Sequence, residues 1–122
     1  MNTIDEVLVS RINNELIKNG DKYTKTYAIE SKLQTKLIDV LKKTFGEYIW
    51  FSKISDRYNR GIPDIVGCIN GKFFGLELKA TKGKPTLLQM YTMDKINEAG
   101  GKACIVRTVA EGLETIKSII MT

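Results

Sequence analysis

Apolar positions along this chain recur in alternating helical and strand periods, and the switches between them predict the order of elements. Thr3 followed by Glu6 forms a capping-box pattern, after which Ile4, Val7, Leu8, Ile12 and Leu16 recur at helical spacing until Asn19-Gly20. A polar stretch from Asp21 to Thr26 then separates this amphipathic helix from the rest. A second helix is expected from about Ala28 to Phe45, with Leu33, Leu37, Ile38 and Leu41 as its stripe and Gly46 as its stop. "YIWFSKI" reads as a strand and "SDRYNRGIP" as a polar, basic loop in which Gly61 lets the chain turn sharply. "DIVGCIN" and "KFFGLELKA" flank Asn70-Gly71, a hairpin signal because both residues tolerate positive φ. After the loop "TKGKP", Thr86 with Gln89 opens a third helix that Gly100-Gly101 closes. "KACIVR" is a further strand, and Thr108 with Glu111 caps a last helix running towards Met121. The order α-α-β-β-β-α-β-α describes a mixed-sheet α/β domain with helices on its faces.

One strand breaks the usual pattern. In "FFGLELKA", Leu76, Leu78 and Ala80 share one face, which leaves Glu77 and Lys79 together on the other. A charge inside a sheet needs a partner or an exit to water, because burying it unpaired costs several kcal/mol. The plain reading pairs the two with each other or leaves this face solvated, but further acids converge on them. Asp64 opens the preceding strand straight after Gly61-Ile62-Pro63, and an antiparallel hairpin brings the start of that strand to the end of the next. Glu30 aligns on the helical wheel with Leu37 and Leu41, although its place in the first turn also suits the helix dipole. Gln89 is either half of a capping box or a site residue, and the two roles are compatible. Together Glu30, Asp64, Glu77 and Lys79, with Gln89 nearby, predict a hard-oxygen pocket with one ammonium, suited to Mg²⁺ or Mn²⁺.

Composition narrows the chemistry. With no histidine, zinc sites of the Cys/His type and every His-based acid–base scheme are excluded. Cys68 and Cys104 lie in apolar strand-like runs and read as reduced, buried small residues. The formal net charge is +5, which suits a polyanionic partner. Lys53, Arg57, Arg60, Lys72, Lys82 and Lys84 all fall in the stretch around the unusual strand, where they suit a polyanionic backbone held without reading sequence. No apolar run approaches the roughly 20 residues of a membrane span, and the N-terminus lacks the pattern of a secretion signal. A cytoplasmic location is expected, in the host cytoplasm if the chain is phage-encoded.

At these residues the sequence resembles the PD-(D/E)xK nuclease superfamily, and within it the virus-type replication-repair nuclease (VRR-NUC) domain. The pieces that carry the resemblance are Glu30 with Gln34, "RGIPDIVG", "NGKFFGLELKA", "KGKPTLLQ" and "AGGKACIVRT", in order, over about Ile29 to Ile120. Leu78 departs mildly from the valine many members carry there. The resemblance implies a restriction-endonuclease-like core over residues 27–122, with residues 1–26 as an added N-terminal helix and connector. It implies that Asp64, Glu77 and the backbone carbonyl of Leu78 hold a divalent cation, with Glu30 on a second ion or a coordinated water. Lys79 would orient or deprotonate the attacking water, and Gln89 would orient Lys79 or the phosphate. The reaction implied is phosphodiester hydrolysis of DNA leaving a 5′-phosphate and a 3′-hydroxyl.

The expected function is therefore a metal-dependent DNA endonuclease selective for branched DNA such as four-way junctions, acting as a homodimer in DNA repair or related transactions. The helix Thr3 to Asn19 offers an apolar face for such a dimer. The alternative is a non-catalytic DNA-binding or assembly module that keeps the nuclease fold. A sequence-specific restriction-like enzyme ranks lower, since the chain is short for a separate recognition element.

Overall fold

The computed structural model describes residues 3–54 and 61–122. Two helices come first, α1 (Thr3–Tyr23) and α2 (Glu30–Phe45). A 3₁₀ turn at Gly46–Tyr48 leads into strand β1 (Ile49–Lys53), followed by β2 (Ile65–Ile69) and β3 (Lys72–Leu78). Helix α3 (Leu87–Glu98), strand β4 (Lys102–Val106) and helix α4 (Val109–Ile120) complete the chain. The four strands lie in the order β1-β2-β3-β4, antiparallel except for the parallel pair β3 and β4 that α3 connects. The expected α/β class, order of elements along the chain and mixed sheet are all present. Among the described residues no helix is long and apolar enough to cross a membrane.

The sheet is covered unequally. On one face Ile65, Ile69, Phe74, Leu76, Leu78 and Val106 pack with Leu33, Leu37 and Leu41 of α2 and Leu113 and Ile116 of α4 into one buried core. α1 joins that core through Leu8 and Ile12. Gly67 makes room for it: a Cβ there would lie 2.6 Å from the Phe74 ring and 2.4 Å from the Trp50 carbonyl oxygen. Among the described elements, the other face carries α3 alone, which buries Met93 and spans β3 and β4. Asn97 pins the end of α3 to the outer edge of β4, its Nδ2 donating to Ala103 O at 3.0 Å and its Oδ1 accepting from Ala103 N at 2.7 Å.

Local chemistry explains most boundaries. The hairpin turns on Asn70 and Gly71, with φ of 51° and 77°, the doubly positive pattern of a tight two-residue turn. Thr86 and Gln89 form a complete capping box. Thr108 accepts from Glu111 N, while the Glu111 carboxylate takes the N–H of Arg107, one residue before the cap.

Four expectations are corrected. α1 runs past Asn19-Gly20 to Tyr23 with one non-helical residue, Asn19. Burial of Tyr23 extends it, and Glu15 holds the kink by accepting from Asn19 Nδ2 at 2.9 Å and Tyr23 Oη at 3.0 Å. Burial and then the Glu15 carboxylate push the Tyr23 phenol up to about 12. α2 starts at Glu30 rather than Ala28, so Glu30 is its first, exposed residue. The chain turns at Gly61 as expected but without a positive φ; glycine is required there because a Cβ would lie 2.7 Å from Thr92 Oγ1 and 2.8 Å from Leu88 Cγ, against α3. Both cysteines are free, but Cys68 is exposed, because strand alternation turns it to the sheet face beside β1 and β2 that α3 leaves uncovered. Cys104 is half-buried against the Thr115 hydroxyl.

Candidate active site

The site forms where the ends of three strands meet. The register pairs Ile65 with Leu76, so the residue before β2, Asp64, stands opposite Glu77. Two contacts fix it there. Pro63 packs on Gly75, where a Cβ would lie 2.8 Å from the proline ring, and Asp64 O accepts from Ile54 N at 2.7 Å. The Asp64 carboxylate then reaches across the strand end, Oδ2 accepting from Leu78 N at 2.8 Å. A backbone donor that the last sheet pairing leaves free is thereby satisfied by a side chain.

Glu77 is 1% exposed. Its Oε1 accepts from Gln89 Nε2 at 3.3 Å and lies 3.9 Å from Lys79 Nζ. Its Oε2 is buried with no hydrogen-bond partner among the described residues. Burial above all, then the adjacent Asp64 carboxylate, push the Glu77 carboxyl up to about 8, with Glu30 adding to the rise and Lys79 opposing it. Lys79 is itself buried at the strand end, its N–H bonded to Val106 O. Two acids and one amine thus share a small, largely dry volume.

Gln89 serves two structures at once. Its Oε1 accepts from Thr86 N at 2.9 Å to complete the helix cap while its Nε2 faces Glu77. Glu30 approaches from α2. A Cβ on Gly83 would lie 3.2 Å from Glu30 Oε2 and 3.4 Å from Lys79 Cδ, so the missing side chain leaves room for both the acid and the lysine stem beside Gly83. Glu30 nevertheless stays solvent-exposed, and among the described residues no three Asp, Glu or Cys side chains converge tightly enough to hold an ion by themselves.

A divalent cation fits the Asp64–Glu77 pair. The orphaned Oε2 of Glu77 needs a positive neighbour, the two carboxylates repel without one, and the donor set is all hard oxygen. Glu30 contributes charge from the rim.

The basic residues divide by position. Lys53 pairs with Ile65 and so lies at the same sheet end as Asp64, and Lys82 and Lys84 are exposed on the loop after Lys79. Arg57 and Arg60 lie outside the described residues. Lys72 is a correction: it sits at the opposite end of β3, and its Nζ donates to Ile119 O at 3.0 Å and Thr122 O at 2.9 Å, closing the end of α4.

Sequence reasoning assigned no role to Arg107, whose Nη1 donates to Ala80 O at 2.8 Å. That carbonyl also accepts from Gly83 N, and Thr81 ties the same loop to Tyr27 O through both its N–H and its hydroxyl. The loop carrying Lys82 and Lys84 is therefore braced from two sides. The signal was present: Arg107 follows the last residue of a parallel strand whose neighbour ends at Leu78, and such strand ends gather site residues.

The fold is that of a known domain type. The chain superposes on a solved structure described as a VRR_NUC domain with a TM-score of 0.56 and 19% identity, covering 73% of this chain and 94% of that one. No family model matches the sequence, and no curated protein matches it. The likeness shows the VRR-NUC fold, a nuclease-type architecture.

Proposed function

We propose that this protein is a divalent-metal-dependent DNA endonuclease that hydrolyses phosphodiester bonds, with Asp64, Glu77, Lys79, Gln89 and Glu30 as its working residues. The observation that carries the reading is the buried, partly unsatisfied Glu77 carboxylate set against Asp64, with Lys79 two residues further along the same strand. A charge arrangement this costly for folding is expected where chemistry requires it.

Asp64, Glu77 and the Leu78 carbonyl would hold Mg²⁺ or Mn²⁺, which when bound supplies charge to activate water and to neutralise the phosphate. Gln89 keeps Glu77 in one rotamer. Lys79 would orient the attacking water or, as the neutral amine, take its proton, and Glu30 adds negative charge nearby. The water oxygen bonds to phosphorus as the P–O3′ bond breaks; the attacking water's proton leaves to the amine or to solvent, and a solvent water protonates the departing O3′, leaving a 5′-phosphate and a 3′-hydroxyl. Lys53, Lys82 and Lys84 hold the strand through its phosphates.

The same reading includes selectivity for branched DNA, four-way junctions among it, and a homodimer that places two sites on two strands. α1 keeps Ile4 and Val7 partly exposed beside the buried Leu8 and Ile12, an apolar margin for self-association. Sedimentation showing only a monomer at high micromolar concentration would remove the dimer.

The test is cleavage of plasmid and junction DNA with Mg²⁺ or Mn²⁺, alongside calorimetric Mn²⁺ titration. We expect cutting by the unmodified protein, with losses of at least a hundredfold for Asp64→Asn and Lys79→Ala, and loss of Mn²⁺ binding for Asp64→Asn alone. DNA retention without any cutting would replace the enzyme with a binding module.

A further inference from the structure

α3 presents a surface that the chemistry above does not use. Its inner side meets Glu77 through Gln89 and the sheet through Met93, yet its first turn and a half exposes Leu87, Leu88, Met90 and Tyr91. Leu87 is 85% exposed and Tyr91 60%. The patch continues onto Ile62, because Gly61 lets Leu88 lie directly against the chain one residue before it. It therefore starts two residues from Asp64 on one side and one residue from Gln89 on the other.

Its border towards the site is cationic. Lys82 and Lys84 are exposed on the loop that leads into α3, while Lys95, whose ammonium stands 5.5 Å from the Tyr91 ring centroid, is paired with Glu98 at 3.2 Å and adds no free charge. A second copy of this chain would bring the same lysines onto one another, which opposes self-association through this face. A ligand with apolar faces and an anionic backbone is complementary to it. Bases in an intact duplex are stacked on each other and show only their edges, whereas unpaired bases offer whole faces.

We propose that the outer face of the start of α3, with Ile62 beside it, is a stacking platform for unpaired bases of a DNA strand whose phosphate lies at the Asp64–Glu77 site. The proposal rests on the nuclease reading for the location of the phosphate. It implies preference for flaps, splayed ends and junction centres over continuous duplex.

Fluorescence anisotropy in EDTA, where nothing is cut, tests it with a blunt duplex and the same duplex carrying an unpaired thymidine arm. The double variant Leu87→Ser with Tyr91→Ser is expected to weaken binding of the armed DNA about tenfold, within the range of a lost base–aromatic contact, and that of the blunt duplex by less than twofold. Tyr91→Phe keeps the ring and should keep the affinity. Equal losses on both DNAs, no loss on either, or a fall in sedimentation mass that reveals a self-association face would each overturn the platform. If the double variant does not fold, the single substitutions decide, each expected at about threefold on the armed DNA alone. Absence of cleavage with any metal would sink the nuclease reading while leaving this affinity ratio readable.

Discussion

Replacing Glu77 by Gln should stabilise the metal-free protein, and increasingly so as pH rises. The carboxyl is nearly inaccessible and is raised from 4.5 to about 8, chiefly by burial and then by Asp64. Between those two values the native state holds a proton that the unfolded chain has released. Stability therefore falls as pH rises through this window, and above about 8 the whole penalty is in place. A window of about 3.5 pH units at 1.36 kcal/mol each sets a ceiling near 5 kcal/mol. Because water penetration and local relaxation ease the penalty as the buried charge forms, we expect about half of that. Gln keeps the shape and brings an amide donor towards Asp64, but cannot ionise. Thermal melts in EDTA at pH 5 to 9 should show the two proteins close together at pH 5 and the variant ahead by roughly 10 °C at pH 9. Millimolar Mn²⁺ should raise the melting temperature of the unmodified protein and not that of the variant, narrowing the gap. A pH-independent difference, or a variant less stable than its parent at pH 8, would refute the reasoning.

Three further outcomes follow from the same geometry. Gly83→Ala should crowd Glu30 and the Lys79 stem, lowering cleavage about tenfold while Mn²⁺ affinity, read by calorimetry, holds within about threefold. Arg107→Ala removes a charged donor from the Ala80 carbonyl and should cost about 1.5–3 kcal/mol in denaturant unfolding, with faster hydrogen exchange at Gly83 N. Lys72→Ala should destabilise by about 1 kcal/mol through the end of α4, leaving DNA affinity unchanged in anisotropy titrations.

Much of the fold was legible because its boundaries are chemical. Asn70-Gly71, Thr86 with Gln89, and Thr108 each announce a turn or cap by local hydrogen bonding or permitted φ, and all appear at their expected places. The convergence of Asp64 on Glu77 was legible too, since a tight hairpin fixes which residues face each other. What escaped depends on tertiary distance. The burial of Tyr23 carries α1 beyond a kink that reads locally as a stop. Lys72 looks like one more cation in a basic stretch until α4 arrives above it. Cys68 follows strand alternation faithfully, but which face a single helix leaves bare cannot be read from one strand. Gly61 reads as a bend, whereas its need is set by Thr92 and Leu88, about thirty residues away.

The divided amide of Gln89 has a mechanical consequence. Oxygen and nitrogen sit on one rigid plane, one anchoring the beginning of a helix and the other steadying a buried acid. If Glu77 rotates when a cation arrives, the group cannot follow without loosening its grip on Thr86 N, so a charge event in the pocket is transmitted as a tug on α3. Loading the pocket and rearranging the outer surface of that helix would then be two readings of one displacement.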